Sequence, residues 1–172
     1  FAAEAHLLRS KYESRIRAGQ PLESNILAVS GGADDGAFGA GLMVGWGERG
    51  NRPSFDLVTG VSTGSLIAPF AFLGRDYDAQ LAEIFVKYGG EDIYQANIVS
   101  GLLGGISVAD NAPLARLIDG YVDRTFLTRV AAERAKGRFL LIGTTNLNAQ
   151  RPVYWDMGKI AQVGSPKALE LF

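Results

Sequence analysis

The sequence predicts an α/β fold: a mainly parallel sheet with helices on both faces. Three observations lead there. Short apolar runs of strand length alternate with longer segments of helical pattern. Two of those runs end in glycine-rich turns that open helices, as parallel strands do. The chain has 172 residues, 47% of them hydrophobic, enough for one domain with a real core.

The elements follow in order. Residues 3–18 are helical, because Ala5, Leu8, Tyr12 and Ile16 recur at helical steps with charges between them. Gly19-Gln20-Pro21 ends that helix, so residues 1–24 form an N-terminal helical segment and 25–172 the main domain. Asn25–Ser30 is a short apolar run typical of a buried parallel strand. A helix over Gly36–Arg49 follows, and its many glycines and alanines imply close packing against a neighbour. Phe55–Thr59 is the second strand, Ser62–Leu73 the next helix and Tyr77–Tyr88 an amphipathic one. Residues 97–108 are apolar and glycine-rich; a buried loop is expected, with a lip meeting acyl chains or a membrane surface as the alternative. Asp110 or Asn111 can cap a helix with Pro113 in its first turn. Thr125–Lys136 is helical, Phe139–Thr145 a strand, Val153–Trp155 a further strand, and Pro166–Phe172 opens a helix.

Several function classes fall away on composition. The formal net charge is −1, with no basic run, so nothing points to nucleic acid or to anionic lipid. There is no cysteine and one histidine, His6, which excludes thiolate metal sites and argues against a histidine-built zinc centre. No metal or organic cofactor is expected. No apolar run approaches the ~20 residues that span a bilayer. The chain begins at Phe1 rather than Met, so a processed or trimmed product is expected, any export signal already gone.

The chemistry concentrates in Gly60-Val61-Ser62-Thr63-Gly64, a Gly-x-Ser-x-Gly element between a strand and a helix. A serine on such a turn is strained and exposed, and the flanking glycines leave room for the bend and the substrate. The other turn, Ser30-Gly31-Gly32-Ala33-Asp34-Asp35-Gly36, also follows a strand. In a parallel sheet both turns reach the same edge, where the N–H groups of Gly31, Gly32 and Ala33 would suit a developing oxyanion. That turn lacks the Lys-Ser/Thr of a P-loop, because Ala37-Phe38 follow Gly36, and lacks the glycine order of a dinucleotide site. Asp34 or Asp35 is expected to cap the helix at Gly36. No histidine follows Ser62, so a carboxylate acting directly on the serine is the economical base.

The two turns together resemble the patatin-like phospholipase family. The resemblance implies a three-layer α/β/α sandwich with a Ser–Asp dyad. Ser62 is then the nucleophile, and Gly31, Gly32 and Ala33 are the oxyanion donors. It also implies fatty-acyl ester or phospholipid substrates, with peripheral membrane contact possible for such an enzyme. Two departures stand out. Asp35 occupies the position where the family has Arg or Lys, and no Asp-Gly-Gly or Asp-Gly-Ala follows Lys136. The dyad aspartate is therefore expected beyond Phe172. Asp156 is the last aspartate of the chain but lacks the motif, and Asp119-Gly120 reads as a helix terminus. The rivals are an acyltransferase, which would want His where Val61 stands, and a non-catalytic binding module of the same fold.

Overall fold

The computed structural model describes residues 2–32, 35–88 and 118–172. Among them run α1 (Ala2–Arg17), β1 (Ile26–Val29), α2 (Gly36–Glu48), β2 (Leu57–Val61), α3 (Thr63–Leu73), α4 (Asp78–Tyr88), α5 (Arg124–Ala135), β3 (Phe139–Asn146), β4 (Arg151–Asp156), α6 (Met157–Val163) and α7 (Pro166–Leu171). The readings for residues 97–108 and for a cap at Asp110 or Asn111 lie outside the described residues, as do Ala33 and Asp34.

The four strands stand in the order β1-β2-β3-β4. β1, β2 and β3 are parallel, and β4 returns antiparallel to β3 through a tight hairpin. This is the mainly parallel α/β sheet that the alternation predicts. The two crossovers β1-α2-β2 and β2-…-β3 step the same way across the sheet, and the right-handed rule then puts their helices on one face. The side chains agree. Val58 and Leu140 are fully buried partners on that face, and Ala68 of α3 presses on Gly60. On the other face, among the described residues, Ile26, Val61 and Tyr154 stay exposed.

The core beneath the helices is aromatic. Phe126 lies edge-on to Tyr77 at 5.1 Å, Phe70 at 5.3 Å and Phe172 at 5.9 Å between ring centres. Such geometries add ~0.5–1.5 kcal/mol each beyond burial. They tie α3, the turn before α4, α5 and the residue that follows α7 into one block.

Three arginines and one aspartate lock the opposite end of the sheet. Arg138 donates to Phe55 O (2.7 Å) and Phe72 O (2.6 Å), closing the end of α3 over the start of β3. Arg52 pairs with Asp78 at 2.7 Å and joins the α2–β2 loop to α4. Arg134, 1% exposed, pairs with Asp156 at 3.0 Å and reaches Glu4 of α1. Asp56 receives Asn25 N at 2.8 Å, pairs with Arg15 and takes a hydrogen bond from Lys11, fixing α1 across the beginnings of β1 and β2. None of the helices described is long and apolar enough to cross a membrane.

Candidate active site

The register of β1 on β2 builds the site. Val29 pairs with Gly60, so the chain leaving β1 and the chain leaving β2 run out side by side. Two residues further along each strand stand Gly31 and Ser62. A Cβ added to Gly31 would lie 2.6 Å from Ser62 Cβ and 3.1 Å from Ser62 Oγ. Glycine at 31 is thus what allows the two turns to touch.

Two more glycines carry the bend. A Cβ on Gly60 would come within 2.5 Å of Gly64 O and 2.8 Å of Ala68 Cβ. One on Gly64 would strike the carbonyls of Val29 and Ser30. With hydrogens in both places, the first turn of α3 drops onto the ends of β1 and β2.

Ser62 pays for that sharp bend in backbone strain. Its φ is 55° and its ψ −130°, and it is one of two non-glycine residues with positive φ among those described. A non-glycine residue held there costs on the order of 1–3 kcal/mol. Its carbonyl is taken by Ser65, both N (2.8 Å) and hydroxyl, while its own side chain stands half-buried at the N-cap of α3. The N-terminus of that helix contributes a positive field at the serine.

The first turn is tight. Asp35 N bonds back to Gly32 O at 2.9 Å, and α2 starts at the next residue, packed against Thr63 and Phe85 at Gly36. Asp35 occupies the N-cap position but in helical conformation, φ −64° and ψ −10°, and its side chain caps nothing. The expected capping bond is therefore absent at Asp35: a residue already wound into the helix cannot turn its carboxylate back onto the N–H groups ahead. It stays exposed beside the turn.

The carboxylates of the chain's later half do other work. Asp156 accepts one hydrogen bond from Arg134 Nε, shared between its two oxygens, and one from Nη2, and caps α6 through Lys159 N at 3.0 Å. It pairs with Leu141, itself opposite Thr59, which leaves it ~10 Å along the strands and two strand spacings, ~10 Å, across from Ser62. Asp119 is exposed at the end of a helical turn, where Tyr121 N and Val122 N bond to Ile118 O. His6 is exposed on α1, far from this edge of the sheet in sequence and in packing.

One turn along α3 from Ser62 lies an apolar cavity of about 120 Å³, walled by Ser65, Leu66, Pro69, Phe70, Tyr121 and Ile142 among others.

Comparison with protein-family models gives a match to Patatin-like phospholipase over residues 27–163. The chain belongs to the patatin-like phospholipase family. The matched region runs from β1 to the end of α6 and so contains both turns and the whole sheet. Patatin-family membership carries the α/β sandwich architecture, lipid acyl hydrolysis as the class of activity and lipid as the class of substrate. Neither the curated proteins nor the solved structures yield a match. Within this patatin-like domain the sequence picked out Ser62, Gly31, Gly60 and Gly64, and these four meet at one sheet edge. Gly32 lies in the same turn, where a Cβ would face Asp35. The buried anchor Arg134 was not singled out in the sequence; the signal for it is an arginine on the helix face that also carries Phe126, Leu127 and Val130.

Proposed function

We propose that the protein is a serine acyl hydrolase that cleaves fatty-acyl esters of lipids through an acyl-enzyme on Ser62. The Ser62 Oγ proton passes to a carboxylate base as Oγ bonds to the ester carbonyl carbon. The N–H groups of the Gly31–Ala33 turn and the α3 N-terminus hold the negative oxygen that forms. Collapse of that intermediate breaks the ester C–O bond, and the alcohol leaves with the proton. Water then attacks the acyl-enzyme, and the fatty acid departs.

The observation that carries this reading is the strained Ser62 backbone in contact with Gly31. Strain at a half-exposed hydroxyl needs a reason, and presenting a nucleophile to a turn rich in amides is one. The apolar cavity beside Ser65 suits the hydrocarbon end of an acyl group. The base is a carboxylate other than Asp156, whose oxygens are bound to Arg134 and to the α6 N-terminus.

The test is hydrolysis of a short-chain p-nitrophenyl ester by the full-length protein and its Ser62→Ala variant. The expected loss is at least about 10³-fold in kcat at unchanged fold. Equal turnover by the two proteins would remove Ser62 from the mechanism. Transfer of the acyl group to an added alcohol in preference to water would favour the acyltransferase reading.

A further inference from the structure

The glycine turn beside Ser62 carries an exposed carboxylate that bonds to nothing else among the described residues. Asp35 makes no capping bond to α2 and no ion pair. Its backbone N is tied to Gly32 O at 2.9 Å, which fixes the residue beside the glycines. Asp35 Oδ2 lies 3.9 Å from the place a Cβ on Gly32 would take, and a Cβ on the neighbouring Gly31 would lie 3.1 Å from Ser62 Oγ. With ~3.8 Å between successive Cα atoms, the carboxylate stands no further than about 14 Å from the nucleophile.

Along the elements that build the site, Asp35 is the only charged side chain described. β1 and the glycines after it, β2, α3, and α2 as far as Gly47 carry none. Helix α4 brings Phe85, an apolar ring, to Gly36. Arg151 is exposed at the start of β4, but that strand lies two spacings, ~10 Å, from β2 and on the side away from β1. The α2 flank of Ser62 therefore presents a negative field. The N-terminal dipole of α2 tolerates the carboxylate there. Exposure lets the same charge act outward on whatever approaches the serine.

We propose that Asp35 sorts substrates by charge: the site favours esters whose alcohol part carries an ammonium group and turns over anionic esters poorly, a preference that rests on the acyl hydrolase reading of Ser62. The alcohol part of a bound ester projects away from the acyl cavity beside Ser65, into the space over the two turns. An exposed carboxylate acting on a unit charge ~10 Å away, at effective dielectric constants of about 40–80, changes affinity about two- to fourfold. The sign is opposite for cation and anion, so their ratio moves by the square of that factor. The Debye length is ~30 Å at 0.01 M salt and ~3 Å at 1 M, so salt must erase the effect.

The experiment compares three soluble butyrate esters, of phenol, of 4-(trimethylammonio)phenol and of 4-hydroxybenzoate. The full-length protein is assayed as the parent, as Asp35→Asn and as Asp35→Lys, in low salt and in 0.5 M salt. Intrinsic differences between the esters cancel when each variant's cation-to-anion ratio of kcat/KM is divided by the parent's. At ~0.01 M salt that ratio is expected to fall at least about threefold in Asp35→Asn and by a similar factor again in Asp35→Lys. In 0.5 M salt the three proteins should converge, and turnover of the neutral ester should change little throughout. Unfolding midpoints of both variants should stay close to the parent's. Calorimetric binding of the two charged esters to the Ser62→Ala protein, with and without Asp35→Asn, reads the same ratio as Kd without any turnover.

An unchanged cation-to-anion ratio across the series would overturn the proposal, in kcat/KM or in Kd. A change that persists in 0.5 M salt would overturn it too, since a field effect cannot. Collapse of all three esters alike in folded Asp35→Asn would make Asp35 the base instead of a selector. Failure of the catalytic reading shows separately, as absent turnover of the neutral ester by the parent, and the Kd ratio then decides the charge preference.

Discussion

Gly31 and Ser62 touch across the ends of two neighbouring parallel strands, and the contact has no room for a methyl group. A Cβ on Gly31 would overlap Ser62 Cβ at 2.6 Å. The Val29–Gly60 pairing puts them level, and the missing side chain lets the two turns close.

Gly31→Ala must therefore move either the serine or the amide turn. Losing the alignment of one oxyanion donor costs ~3–4 kcal/mol of barrier lowering, or ~10²–10³ in kcat. The expected result is that loss in ester turnover with an unfolding midpoint close to the parent's. Retained turnover would show that the turn does not serve the reaction.

Gly64→Ala acts on the fold first. Its methyl would be driven into the carbonyls of Val29 and Ser30, backbone atoms that cannot swing aside. Overpacking of this kind costs ~1–3 kcal/mol or more. Denaturant titration should show a midpoint shift of that size, larger than for Gly45→Ala, where a Cβ meets open space.

Asp156 is expected to matter for stability rather than for chemistry. Arg134→Met would leave Asp156 without its buried partner, and Asp156→Asn would remove the charge from the pair. Breaking one side of a buried pair costs ~3–5 kcal/mol. Both variants should unfold earlier while keeping kcat for the soluble ester at temperatures where they are folded. A kcat collapse in folded Asp156→Asn would instead make it the base.

Acid should loosen the α1 end of the molecule. Burial opposes the charge on Asp56, but hydrogen bonds from Lys11 and Asn25 N, with the charges of Lys11 and Arg15, outweigh it. They hold its carboxyl below the ordinary 3.8. Glu4 is lowered to about 2, chiefly by its hydrogen bond from Lys159. A depressed folded pKa stabilises above the unfolded value and is lost as pH falls through the folded one. Stability from these groups is then full above about pH 5 and drains toward pH 2. Urea midpoints measured from pH 7 to 2.5 should fall over that window, and less steeply in Asp56→Asn.

Much of this was legible in the sequence, and the misses have physical causes. Glycine spacing and apolar run length located both turns, because Gly60 and Gly64 stand where backbone meets backbone and Gly31 stands where the first turn meets Ser62. The second strand was expected at Phe55–Thr59 but runs Leu57–Val61, right up to the serine. Phe55 reads as strand by its side chain, yet it packs on Trp46 of α2 at 5.9 Å. Helix α6 escaped notice because seven residues carry too little periodicity; only the Asp156 cap announces it. Pro69 inside α3 is a breaker by local rules, and burial of the whole helix overrides it. The role of Arg134 depends on partners from α1 and β4, which no local pattern joins. The glycines of α2 divide: Gly36, Gly39 and Gly47 meet neighbours as close packing requires, whereas Gly41 and Gly45 face open space.

The most direct test of the central claim is covalent capture. The full-length protein is treated with a fluorophosphonate, digested, and the modified peptide sequenced by mass spectrometry. One phosphonyl adduct is expected, on Ser62, absent from Ser62→Ala and strongly slowed in Gly31→Ala. An unlabelled protein, or an adduct on any other residue with Ser62 untouched, would contradict it.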